Sequence, residues 1–235
     1  MIVMKKSFLL IALGLLSTLP MANAGDITGV INLTGTPPAE RELTPIKDDS
    51  ICSTLYSGAL PTTHFYVVGA NGGLGDVVVT LKGVTGKSTG ASADPAVLDQ
   101  KGCVYQPTIL VVQTGQKITV KNSDPCVHNV HTKPTVNPES NQVQMPGAAD
   151  LTFTFDQPEP FVKFQCDVHP WMFAWVTVVD SPYYALSDKD GKFTIKNVPP
   201  GKYTLQVAHR KLGTQTADIE VKDSGATQNF TFAIK

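Results

Sequence analysis

Beyond its first two dozen residues the sequence has no apolar run long enough to cross a bilayer, for which about 20 consecutive residues are needed. It also lacks a basic stretch. The 19 Lys and Arg stand against 20 Asp and Glu, a net charge of −1, so neither nucleic acid nor an anionic membrane surface is an expected partner. Nowhere after the N-terminus do apolar residues recur with the 3.6-residue period of an amphipathic helix, and at most one short helix is expected. Cysteine is sparse, with four in 235 residues, yet one of the four lies within six residues of both a His and a Met.

Residues 1–24 have the make-up of a cleaved secretory signal. Lys5 and Lys6 form the basic start, Ser7 to Leu19 the apolar middle, and Ala22-Asn-Ala24 the small-residue cleavage site. No Cys sits at the cleavage point, so a lipid anchor is not indicated. Losing two lysines and no acids takes the charge from −1 to −3. The expected location is the periplasm, where disulfides are permitted.

Strand signals dominate the rest. Asp26–Leu33 and Asp76–Lys82 read as strands, with residues 39–61 between them polar and irregular and a second irregular stretch over 86–100. Ile109–Val112 is a continuous apolar run suited to a buried strand. Lys117–Lys121, Leu151–Phe155 and Phe161–Cys166 alternate, and Phe173–Val179 closes this unit. In Phe161–Cys166 the parity puts Val162, Phe164 and Cys166 on one face, aiming the Cys166 sulfur at a core. After Ser181-Pro182, strands and turns follow every 8–12 residues to the C-terminus, the rhythm of a β-sandwich. Four strands are few for a sandwich of their own.

The chemistry concentrates in Phe164-Gln-Cys-Asp-Val-His-Pro-Trp-Met172, where Cys166, His169 and Met172 are spaced three apart, and in His128-Asn-Val-His131 upstream. Two imidazoles, a thiolate and a weak thioether are the donor set of a mononuclear copper site. Zinc favours four strong ligands, and Met is a poor one. A binuclear copper centre would need a second Cys in the loop. His131, three residues past His128, points to the opposite side of a strand and reads as a solvated side chain. His64 and His209 read as surface or structural residues. Trp175 reads as core, and Trp171 as either core or part of an apolar patch at the His169 edge. With Cys166 on a metal, three cysteines remain for at most one bridge. Cys52–Cys103 is the first choice, leaving Cys126 as a buried thiol, as a substitute for either partner or, least favoured, as an extra copper ligand.

Residues 104–180 resemble the cupredoxins, amicyanin and its plastocyanin relatives above all, through Gly115-Gln-Lys-Ile-Thr-Val-Lys-Asn122, His128-Asn-Val-His131 and the short Cys166-x2-His169-x2-Met172 loop. The resemblance implies that His128, Cys166, His169 and Met172 hold one type 1 copper, and that Asn129 ties the two ligand loops together. Residues 185–235 are similar to the carboxypeptidase regulatory-like, transthyretin-like sandwich, through Asp188-x-Asp-Gly-x-Phe-Thr-Ile195 and Val198-Pro-Pro-Gly-x-Tyr-Thr-Leu205, with looser counterparts in Gly29–Gly35 and Asp76–Leu81. Exported bacterial proteins described as methylamine utilization proteins have this combination.

The expected fold is therefore all-β: a Greek-key cupredoxin sandwich over 86–181, inserted into a discontinuous transthyretin-like sandwich of 25–85 and 182–235. The expected function is one-electron transfer with a partner redox protein, not enzymatic turnover. A copper nitrite reductase would need a second, His-rich site. The alternative is a non-redox periplasmic copper binder that stores or delivers the metal.

Overall fold

The computed structural model describes residues 24–84 and 86–234; all but the last residue of the expected signal lies outside them. The chain runs through β1 (Gly25–Thr34) and β2 (Val78–Lys82). Then come β3 (Ala96–Gln100), β4 (Tyr105–Gln106), β5 (Ile109–Gln113), β6 (Ile118–Asn122), β7 (His128–Lys133), β8 (Ser140–Gln144), β9 (Leu151–Phe153), β10 (Glu159–Gln165) and β11 (Phe173–Val179). It ends with β12 (Tyr184–Leu186), β13 (Lys192–Val198), β14 (Gly201–His209), β15 (Gly213–Val221), β16 (Ala226–Thr227) and β17 (Phe230–Ala233). Helix is confined to three short 3-10 turns among the described residues, and no helix there is long and apolar enough to cross a membrane.

The fold is all-β and consists of two sandwiches. The outer one faces the sheet β13-β1-β16, with β17 also on β1, against the sheet β12-β2-β14-β15. Residues from both ends of the chain fill its core, Ile27, Ile31, Val79 and Leu81 meeting Ile195, Leu205, Val207 and Phe232. This accounts for the shortage of C-terminal strands. β1 lies antiparallel to β13 and parallel to β17, with Ile31 opposite Phe230 and Thr34 opposite Ala233. Period-two alternation drives the burial: in β13, Phe193 and Ile195 are buried while Lys192, Thr194 and Lys196 are exposed. Each such buried Ile or Phe contributes about 1.5–3 kcal/mol.

The inner sandwich faces β5-β11-β10-β7-β8 against β4-β3-β6-β9. Its core holds Leu98, Ile118, Val120, Val130, Val162, Phe164 and Val176. The Phe164 ring meets Phe153 and Phe155 edge-on at 5.6 and 6.0 Å, a favoured aromatic geometry.

Three features differ from the sequence expectation. The polar stretch 39–61 is an accessory of the inner sandwich: Leu43, Ile46, Cys52 and Leu60 are buried in the inner core, and a Cys52–Cys103 disulfide staples the stretch there. β3 lies inside the stretch expected to be irregular, paired parallel with β6 and antiparallel with β4, and it buries Leu98 and Gln100. β8 is an edge strand with mostly exposed side chains, so its Ser-Asn-Gln-Val-Gln sequence carries no apolar signal.

Between the sandwiches Val78 packs with Ile109, Val111 and Val179, flanked by Phe161, Trp175, Tyr184 and Leu186. Trp175, expected in the core, lies half-buried at this junction, and the Arg210 guanidinium covers its ring 3.5 Å from the centroid.

Candidate metal centre

β10 ends at Gln165 and β11 begins at Phe173, so residues 166–172 form a tight connection at one end of the inner sandwich. Antiparallel pairing sets Gln165 opposite His131, which brings Cys166, one residue further on, toward the start of β7. In β10, Val162 and Phe164 are buried and Lys163 and Gln165 are not. Cys166 continues the buried face and is 1% exposed. The loop closes on itself, the Met172 N–H donating to the His169 carbonyl at 2.8 Å and the Cys166 N–H to the Met172 carbonyl at 3.3 Å.

Asn129 ties the two segments together. Its Oδ1 accepts the N–H groups of Asp167 and Val168 at 2.6 and 3.3 Å and lies 3.4 Å from the Cys166 sulfur. Its own N–H points at that sulfur from 3.5 Å.

The structure brings three of the four sequence-predicted donors to one point. His128 Nδ1 and His169 Nδ1 are 2.9 Å apart, and Cys166 Sγ lies 3.9 and 3.7 Å from them. All three residues are buried. Met172, the fourth, is fully buried in the same loop. A triangle with these edges is the size spanned by two imidazole nitrogens and a thiolate sharing one ion at about 2.0–2.3 Å. The donors therefore fit a metal ion, and their softness fits copper best.

The electrostatics favour a thiolate. Burial raises the Cys166 thiol, but hydrogen bonds from His128, His169 and the Asn129 N–H outweigh it and bring the group down to about 6. His128 is desolvated, which lowers it, yet Asp124 and Cys166 leave it raised overall. Asp124 Oδ2 lies 3.0 Å from His128 Nε2. With an ion at Nδ1, that contact would hold the remaining ring proton on Nε2, the usual way a carboxylate orients a ligating imidazole. Asp124 is itself fixed by the N–H groups of Gly102 and Cys103. Asp49 stands 3.6 Å from His169 Nε2 and accepts the N–H groups of Ile51 and Cys52.

Neither carboxylate was expected from sequence. Asp124 lies four residues before His128 with no marking pattern, and Asp49 belongs to the polar stretch 39–61. His169 is only 3% exposed, because the stretch 39–61 covers it. Trp171 packs beside it, ring centroids 5.2 Å apart, and donates its Nε1–H to the Cys103 carbonyl at 3.0 Å.

His131 is not the solvated side chain expected. Asp167 and Glu139 hold its two nitrogens at 2.6 and 2.7 Å, on the face of β7 away from the donor triangle. His209 is buried, stacked on Tyr66 and tilted against Phe232, and among the described residues it joins no group of potential metal ligands. Cys126 is a buried free thiol, which burial first, then Asp124 and Asp49, push up to about 11.

Fold and donor set together define a two-sandwich β protein with a buried thiolate–imidazole centre. Residues 167–235 match the carboxypeptidase regulatory-like domain. No curated protein matches the sequence. Among solved structures, similar chains include a purple cupredoxin from Nitrosopumilus maritimus (21% identity over 35% of this chain and 98% of that one, TM-score 0.31). A reduced amicyanin variant is 27% identical over 43% of this chain and 97% of its own, TM-score 0.32. A copper-containing nitrite reductase from Thermus scotoductus SA-01 is 19% identical over 36% of this chain, TM-score 0.31, and the match spans only 22% of that enzyme.

Proposed function

We propose that this chain is a periplasmic type 1 copper protein that transfers single electrons, with His128, Cys166, His169 and Met172 as the ligands of one copper. The observation that carries the reading is the triangle of His128 Nδ1, His169 Nδ1 and Cys166 Sγ. A bound copper would supply the Cu(II)/Cu(I) couple, with no bond made or broken in a substrate. The protein's part is to hold the donors. Asn129 fixes the loop that carries Cys166, Asp124 orients the His128 imidazole, the Asp49 carboxylate faces the His169 imidazole from 3.6 Å, and the buried surroundings keep water from the thiolate. A rigid donor set changes little between oxidation states, which favours rapid electron exchange.

Because His169 is covered, the route to a partner redox protein runs through Trp171, half-buried against the imidazole. We divide the chain at 25–85, 86–181 and 182–235, with residues 43–60 serving the inner sandwich. The burial of every donor favours retention of copper over handing it on, and so favours the carrier over the storage or delivery alternative.

Copper-loaded protein should show an intense visible thiolate-to-copper absorption band. Cys166→Ser should abolish the band while the far-ultraviolet circular dichroism stays that of a β protein. A wild type that binds copper without that band refutes the reading.

A further inference from the structure

Behind the donor triangle lies a second group of sulfurs that the electron-transfer reading does not use. Cys126 Sγ is 3.7 Å from Cys103 Sγ, and Cys103 is bonded to Cys52. Donor atoms of Cys52, Cys103, Cys126 and His169 all lie within 4.8 Å of one another, and all four residues are buried. The sulfurs come from three separate segments: the 3-10 turn Cys52–Leu55, the loop before β4 and the loop before β7. A distance of 3.7 Å is close to the edge expected between two thiolates on one ion with metal–sulfur bonds of about 2.3 Å.

We propose that, once the Cys52–Cys103 bond is reduced, the sulfurs of Cys52, Cys103 and Cys126 together bind one Cu(I), in a site that adjoins the His128–Cys166–His169 centre, with Cys126 Sγ 3.6 Å from His128 Nε2. Three thiolates form a soft donor set that selects a soft monovalent ion, and the Asp124 carboxylate, within 4.8 Å of the Cys103 and Cys126 sulfurs, is already held by His128 and two backbone N–H groups. The chemistry balances with a dithiol as reductant. It supplies two electrons and two protons, the Cys52–Cys103 bond breaks to give two thiols, and the dithiol leaves as its own disulfide. The thiol protons pass to solvent as Cu(I) binds. The copper capacity of the chain thus rises from one ion to two when its staple opens. Asp49, whose carboxylate takes the Cys52 N–H and faces His169 Nε2, links the staple to the first centre.

The test is a Cu(I) titration of the mature chain against a coloured Cu(I) chelator. One sample keeps its disulfide; the other is reduced anaerobically with dithiothreitol and freed of reductant. The expected stoichiometry is one Cu(I) with the disulfide intact and two after reduction, and Cys126→Ser should return the reduced protein to one. Reduced Cys166→Ser should still bind one ion, which separates this site from the type 1 reading. A reduced wild type that takes no more Cu(I) than the disulfide form overturns the proposal, as does a second ion that survives Cys126→Ser. If reduction alone abolishes the β circular dichroism, the second equivalent of Cu(I) must restore it; failure to do so also overturns the proposal.

Discussion

Replacing Glu159 with Gln is expected to cost the inner sandwich about 3 kcal/mol at pH 7 and almost nothing near pH 2. Glu159 opens β10 and is 3% exposed. Its carboxylate accepts the N–H groups of Thr135, Val136 and Asn137, the Thr135 hydroxyl and the Asn137 amide. In this way it pins the loop between β7 and β8. Burial alone would raise this carboxyl, but the five donors bring it from 4.5 to about 2. At about 1.4 kcal/mol for each pH unit, that lowering is about 3 kcal/mol of stability.

The sign follows from proton uptake. Between the two values the unfolded chain holds a proton that the folded chain does not. The stabilisation is therefore complete above about 4.5 and is lost as pH falls toward 2. Gln offers one accepting oxygen and turns an NH2 toward groups that are themselves donors. Urea unfolding of the copper-free protein, followed by tryptophan fluorescence at pH 7, 5 and 3, checks this. The only two tryptophans, Trp171 and Trp175, both belong to the inner sandwich. Equal stabilities at pH 7, or a difference that does not shrink from pH 5 to 3, would refute the reasoning.

The outer sandwich has its own pH window. Burial, then Arg210, lower His209 to about 4, so the buried ring stays neutral while the unfolded chain takes up a proton near 6.5. Stability should fall by roughly 3 kcal/mol as pH drops from 6.5 to 4. His209→Gln should flatten that dependence in thermal melts at pH 7.5 and 4.5; an unchanged slope counts against it. Asn129→Ala removes the acceptor of the Asp167 and Val168 N–H groups. Copper affinity, measured by chelator competition, should fall roughly 10–100-fold with the β fold retained. Undiminished affinity would show that the side chain does not position the loop.

The inward aim of Cys166 and its spacing from His169 were legible from local parity, whereas the approach of His128, 38 residues upstream, was implied only by the cupredoxin resemblance. Val162, Phe164 and Cys166 alternate with two polar residues, and His169 follows within one short loop. The small number of C-terminal strands was a clue to a discontinuous outer sandwich, but its N-terminal strands were placed through the resemblance of Gly29–Gly35 and Asp76–Leu81 to the carboxypeptidase regulatory-like domain. What stayed hidden depends on contacts distant in sequence. Asp49 and Asp124 are ordinary acids in polar stretches until folding sets them against imidazole edges. The stretch 39–61 is too polar to announce burial, because only Leu43, Ile46, Cys52 and Leu60 of it enter the core. His131 was misread because its partners Asp167 and Glu139 come from two other segments.

The pairing of β1 has a consequence for the order of assembly. Its partners β13, β16 and β17 all come late in the sequence, and the register from Ile31–Phe230 to Thr34–Ala233 joins strands about two hundred positions apart. β1, which precedes the other described strands in the sequence, is thus among the last to find its neighbours. Loop-closure entropy delays so distant a pairing, and meanwhile its alternating apolar face, Ile27, Ile31 and Leu33, stands unpaired and prone to aggregate. The inner sandwich, whose strands all lie between the two halves, can close first and bring the ends together. A chain truncated before Phe230 would keep the strands of the inner sandwich and leave β1 with an open edge.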